Sequence, residues 1–204
     1  MSISLNFELN DRDLEHFKAA MTAAAQAAEG KPDDELVECA AQLLRDAQGR
    51  ELPDFIMQRL LRVDDMIAMV RDQAWALEGE DRQRVLSALA YFCNPDDVIP
   101  DHAPVLGYLD DAIMIEMSVL ELQHELDAYD EFCEYSAGQA EIRGLEADKD
   151  CRTEWLASRR EELVERMHRR RERTMGAGYG SSSGYASGRS SYTRAWRPGL
   201  FRFT

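Results

Sequence analysis

Long uncharged stretches are missing from this 204-residue chain. No run of about 18 apolar residues exists that would span a bilayer, and the most apolar stretch, Val105 to Leu122, contains Asp110, Asp111, Glu116 and Glu121. The opening MSISLNFELNDRD is acidic where a secretory leader is basic, and no apolar core follows it; a cytoplasmic location is the expectation. Cysteine is scarce: Cys39, Cys93, Cys133 and Cys151 lie far apart and form no CxxC, which argues against a zinc knuckle or redox pair and for reduced, buried thiols. Period-2 alternation is missing apart from SISLNFEL at the start, so no sheet is expected. Phosphate loop, GxSxG and HExxH motifs are absent, and no cofactor is expected. Cys151 is followed by Arg-rich sequence while nearly all the acids precede it, so the net charge of −15 describes an acidic body with a basic end. Such a body repels nucleic acid and anionic lipid, leaving any binding of either to the end.

What the sequence does contain is helical periodicity. Leu14, Phe17, Met21, Ala24 and Ala28 predict a first helix capped by Asp11 or Asp13 and ending near Gly30. Asp33 and Asp34 open a second, with Leu36, Val37, Ala40, Leu43, Leu44 and Ala47 inside and Gly49 at its close. Pro53 and Asp54 start a third, whose seam Ile56, Leu60, Val63, Ile67, Val70, Ala74 and Leu77 keeps a 4,3 spacing. A second seam, Ile115, Val119, Leu122, Leu126, Tyr129 and Cys133, lies further on, and two such seams favour antiparallel packing. Beyond Gly138 apolar residues thin out among charges, predicting a mostly solvated helix supported by the i,i+4 pairs Glu162 with Arg166 and Glu165 with Arg169.

Between the seams runs YFCNPDDVIPDHAPVLGYLDD, Tyr91 to Asp111, where Pro95, Pro100 and Pro104 forbid a continuous helix. Its parts Tyr91, Asn94-Pro95-Asp96-Asp97-Val98-Ile99-Pro100-Asp101 and Gly107-Tyr108-Leu109-Asp110-Asp111 resemble the YkvA-like family, a small helical domain of unknown function, over roughly Arg82 to Leu120. The resemblance implies a helical fold and no established reaction, so it supplies no catalytic residue. Asp96 stands where that family is usually apolar, and His102-Ala103 replace a bulkier apolar pair, which makes this turn wetter and weakens any association with membrane.

The turn has two physical readings. In the first, Asp97 and Asp101 accept backbone N–H bonds in the proline turns, while Asp110 and Asp111 face the positive end of a helix dipole. Asp111 projects within about 40° of Ile115 on a helical wheel, which predicts a buried acid partnered by Tyr91, Asn94, backbone N–H groups, or an arginine such as Arg82 or Arg84. Glu116 raises the same question. In the second reading Asp97, Asp101, Asp110, Asp111 and Glu116 gather around a hard cation.

The basic end offers a further candidate. Arg166, Arg169, Arg170, Arg171 and Arg173 form a cluster suited to an anion or nucleic acid. After it, Arg189, Arg194, Arg197 and Arg202 alternate with Tyr179, Tyr185, Tyr192, Trp196, Phe201 and Phe203 in a Gly/Ser-rich setting that suits weak stacking on single strands. Low complexity predicts disorder there.

The expectation is an all-α protein. An antiparallel helical bundle covers residues 1–137 and holds the YkvA-like region of about 82–120. A charged, mostly solvated helix covers 138–175, and a disordered tail covers 176–204. It reads as a non-catalytic interaction or scaffold protein with a protein partner. The alternatives are a metal-dependent enzyme using the turn carboxylates, and nucleic-acid or anionic-membrane association through the basic helix and tail.

Overall fold

At the centre of the molecule lies the helix Asp54–Arg71, whose Leu60, Val63, Met66, Ile67 and Met69 are withdrawn from solvent. The computed structural model describes residues 10–48, 50, 52–93, 108–143 and 149–176. Among them are seven α-helices: α1 Asp11–Ala27, α2 Asp33–Ala47, α3 Asp54–Arg71, α4 Gly79–Leu89, α5 Leu109–Glu121, α6 Gln123–Arg143 and α7 Lys149–Gly176. A 3-10 turn, Ala90–Cys93, follows α4. No strand occurs among the described residues, and none of their helices is long and apolar enough to cross a membrane. The expected disordered tail lies outside the described residues, as does the SISLNFEL segment.

Helix α3 touches α2, α4, α5 and α6, so it is buried on more than one face. Its seam positions Ile56, Leu60, Val63, Ile67 and Val70 enter one core with Leu122, Leu126 and Tyr129 from beyond the turn. Each such side chain contributes about 1.5–3 kcal/mol through burial. Asp65, also buried, is held by the Arg62 guanidinium one turn earlier at 3.0 Å.

Several expected boundaries move, each for a local reason. The cap of α1 is Asn10, not Asp11 or Asp13: its side chain accepts from the N–H groups of Arg12 and Asp13, and the Asp13 carboxylate accepts from Asn10 N–H in return. The α3 seam does not run on through Ala74 and Leu77. Asp72 Oδ1 accepts from Ala74 N–H at 2.8 Å and Trp75 N–H at 3.2 Å, turning the chain so that Trp75 drops into the core between Tyr129 and Phe132. The second seam is two helices rather than one. At Leu122 (φ −96°, ψ 15°) the helical path gives way, and the Glu121 carbonyl accepts from the Arg84 guanidinium at 3.0 Å.

The last helix departs most from expectation. Helix α6 continues through Ala137 and Gly138 to Arg143, so no helix boundary falls there. Most described side chains of helix α7 are exposed, as expected, but one face is docked: it packs along α6, and Leu156, Leu163 and Met167 are buried in the main core. Of the two supporting pairs, Glu165 with Arg169 forms at 3.7 Å, while Glu162 pairs with Arg159 and Arg166 reaches across to Glu131 on α6.

Candidate functional site

Of the turn residues, Asn94, Pro95, Asp97, Pro100, Asp101 and Gly107 lie outside the described residues. The flanks are described. Tyr91, in the 3-10 turn, joins Met114 of α5 and Ala24 of α1 in a small second core, with Phe92 edge-on to its ring at 5.6 Å. Tyr108 is buried in the left-handed region (φ 73°) immediately before α5, and the Arg50 guanidinium stands 5.3 Å from its ring centre. A left-handed conformation is uncommon outside glycine, and here it stands directly before the first turn of α5. Asp110 and Asp111 are both buried in that turn, as the wheel position of Asp111 predicts. Arg82 and Arg84 serve other groups: Arg82 donates to Asp33 at 2.7 Å and to the Val70 carbonyl at 3.0 Å, and Arg84 turns to Glu125. Glu116 is not buried; its carboxylate is half exposed and meets Arg59 of α3 at 3.1 Å. Among the described residues no group of three His, Cys, Asp or Glu side chains is placed to hold a metal ion.

The densest ionic constellation lies elsewhere, where α4, α6 and α7 meet. Glu125 of α6 is fully buried, and its Oε1 accepts from Arg84 of α4 at 2.8 Å and from Arg171 of α7 at 3.0 Å. Arg171 also donates to Asp81 of α4 at 2.6 Å, and Asp81 in turn meets His168 at 2.6 Å. Burial pulls against the Arg171 charge, yet its bonds to Asp81 and Glu125 outweigh that pull and raise its pKa above the ordinary arginine value. In this network the two guanidiniums face the two carboxylates. Breaking one member of such a buried set costs about 3–5 kcal/mol, because the remaining charge is left without a counterion.

Further contacts seat α7. Arg160 donates to the carbonyls of Trp75 and Ala76, the latter at 2.7 Å and in a left-handed turn (φ 44°). His124 of α6 meets Thr174 at 3.0 Å. Between α7 and the Trp75–Asp81 segment remains an open cleft of about 510 Å³, rimmed by the exposed acids Glu78, Glu80 and Glu172. Val164 and the fully buried Trp75 contribute to its lining.

The basic cluster is thus divided. Arg171 belongs to the internal network, Arg166 and Arg170 both approach Glu131, and Arg169 approaches Glu165. Arg173 is exposed. The signal that separates Arg171 from its neighbours is the stripe Leu156, Arg160, Leu163, Met167 and Arg171, whose 4,3,4,4 spacing puts both half-buried arginines on the apolar face.

Two thiols that are remote in sequence are neighbours in space. Cys93, at the end of the 3-10 turn, lies 3.8 Å from the Leu36 carbonyl of α2 and within hydrogen-bonding reach of Cys39. Burial first, and then Cys39, push the Cys93 thiol up to about 12.

A family model described as a protein of unknown function (DUF1232) matches residues 84–117. The matched segment starts at Arg84, crosses the 3-10 turn and the proline-rich turn, and covers most of α5. No curated protein and no solved structure matches the chain.

Proposed function

We propose that the chain is a non-catalytic interaction module of the YkvA-like kind, acting in the cytoplasm, where its free thiols stay reduced. One observation carries the reading: the buried acids and bases at the junction of α4, α6 and α7 are occupied with one another, and what they accomplish is the seating of α7 on the body. Seated in this way, α7 presents Arg169, Arg170 and Arg173 outward and leads directly into the Arg- and aromatic-rich residues 177–204. A protein partner with an acidic surface fits that presentation. The test is a pull-down comparing the full chain with one ending at Gly176, which keeps every described helix. Partners lost from the shorter chain assign recognition to residues 177–204, and partners retained assign it to the helical body. Equal, background-level capture by both would overturn the reading.

A second reading, binding of single-stranded nucleic acid, is favoured by the exposed Arg169 and Arg170 lying continuous with four further arginines interleaved with aromatic rings. It predicts affinity that falls steeply with salt. Absence of binding at low salt would retire it.

A further inference from the structure

The cleft beside α7 carries three exposed carboxylates, Glu78, Glu80 and Glu172. The bases nearest to it are largely committed. Arg160 holds two backbone carbonyls, and Arg171 holds Asp81 and Glu125 at short range while approaching Glu80 only at 3.8 Å. The mouth of the cleft is therefore acidic on a body already strongly acidic. Residues 177–204 contain Arg189, Arg194, Arg197 and Arg202 and no Asp or Glu, so the remainder of the chain is more negative than the −15 of the whole.

Geometry brings the two together. Glu172 lines the cleft and lies on the last turns of α7, which ends at Gly176. Four residues of helix span about 6 Å, so the basic segment begins beside the acidic mouth. An extended chain covers about 3.3–3.6 Å per residue, and Arg189, thirteen residues past Gly176, has ample length to return. We propose that the cleft formed by the Trp75–Asp81 segment and α7 is an interaction surface for the chain's own residues 177–204. Their arginines pair with Glu78, Glu80 and Glu172, and an aromatic ring enters toward Val164 and Trp75. This self-contact stands independently of any partner, and a partner for the same segment would have to displace it.

The test uses the full chain and trypsin, following by mass spectrometry the cleavage after Arg189 and Arg194. A free peptide of residues 185–204 reports the intrinsic rate at each salt concentration. At low salt the two sites should be cut more slowly in the protein than in the peptide. The triple variant Glu78→Gln, Glu80→Gln, Glu172→Gln should be cut about fivefold faster than wild type, in keeping with several weak exposed ion pairs acting together. About 1 M salt, with a Debye length of about 3 Å, should abolish the difference. The three positions are exposed, and an unchanged melting temperature confirms that the variant is folded. Protection independent of protein concentration supports contact within one chain. Protection that grows with concentration overturns it in favour of contact between copies. Equal rates in wild type and variant, or in protein and peptide, overturn it outright.

Discussion

The carboxylate of Glu125 and the guanidinium of Arg171, separated by 46 residues of chain, meet at 3.0 Å with the carboxylate fully out of solvent. Arg84 completes the set from a third helix. Glu125→Ala should therefore cost about 3–5 kcal/mol, because two guanidiniums lose their common counterion. Set against the roughly 5–15 kcal/mol of a typical domain, this shift is readily resolved by urea denaturation. A midpoint within error of wild type would show that the network contributes nothing to folding.

Helix α7 is part of the folded unit, so ending the chain after Ala137 should do more than remove a charged appendage. It deletes Leu156, Leu163 and Met167 from the core, takes Arg171 and His168 away from Asp81, and leaves Glu125 with Arg84 alone. As a gentler version, Leu163→Ala should cost about 2–5 kcal/mol, whereas Leu120→Ala, at an exposed position, should stay within about 0.5 kcal/mol. Similar losses at both sites, measured by thermal melts, would mean that α7 is not docked as described.

The expectation of a mostly solvated α7 missed its docked face for a physical reason. Charges outnumber apolar residues along it, and a hydropathy pattern counts Arg160 and Arg171 as solvent-facing. Their partners are two backbone carbonyls near Trp75 and the acids Asp81 and Glu125, more than 40 residues away in every case. Nothing local in the sequence pairs them. By contrast, the inner faces of α2 and α3 and the burial of Asp111 followed from 3,4 spacing alone, since those positions are set within one helix. The stop at Asp72 and the left-handed Tyr108 depend on where Trp75 and α5 have to go, which is tertiary information.

Thiol reactivity gives a pH-dependent check. Burial pushes Cys133, and burial with Cys39 pushes Cys93, from the ordinary 9.0 up to about 12. The folded protein then holds these protons where the unfolded chain has lost them, so stability should fall as pH rises from about 9 toward 12. Iodoacetamide should label both thiols slowly at pH 8 in the native state and rapidly in urea, since the thiolate is the nucleophile. Native labelling as fast as denatured labelling would contradict their burial.

Asp110 and Asp111 distinguish a helix-start role from cation binding. As buried acids in the first turn of α5 they face the positive end of its dipole. Replacement of either by Asn should lower stability by about 0.5–2 kcal/mol. Added Mg²⁺, Mn²⁺ or Ca²⁺ should leave the melting temperature of wild type and variants alike. A metal-dependent rise lost in Asp111→Asn would instead identify a cation site.

The shared oxygen of Glu125 has an evolutionary corollary. One carboxylate serving two arginines is not readily exchanged in a single step, because losing Glu125 takes from Arg84 its carboxylate and from Arg171 one of two, while losing either arginine leaves the buried carboxylate with one partner fewer. Related sequences should therefore vary at 84, 125 and 171 as a group, either keeping the charged trio or replacing it together with apolar residues of similar volume. Arg84 lies within the 84–117 family match and the other two lie beyond it. A protein sharing only that segment must meet the same arginine with an acid of different origin, or lack the arginine, and which of these it does would reveal whether it carries a counterpart of α6.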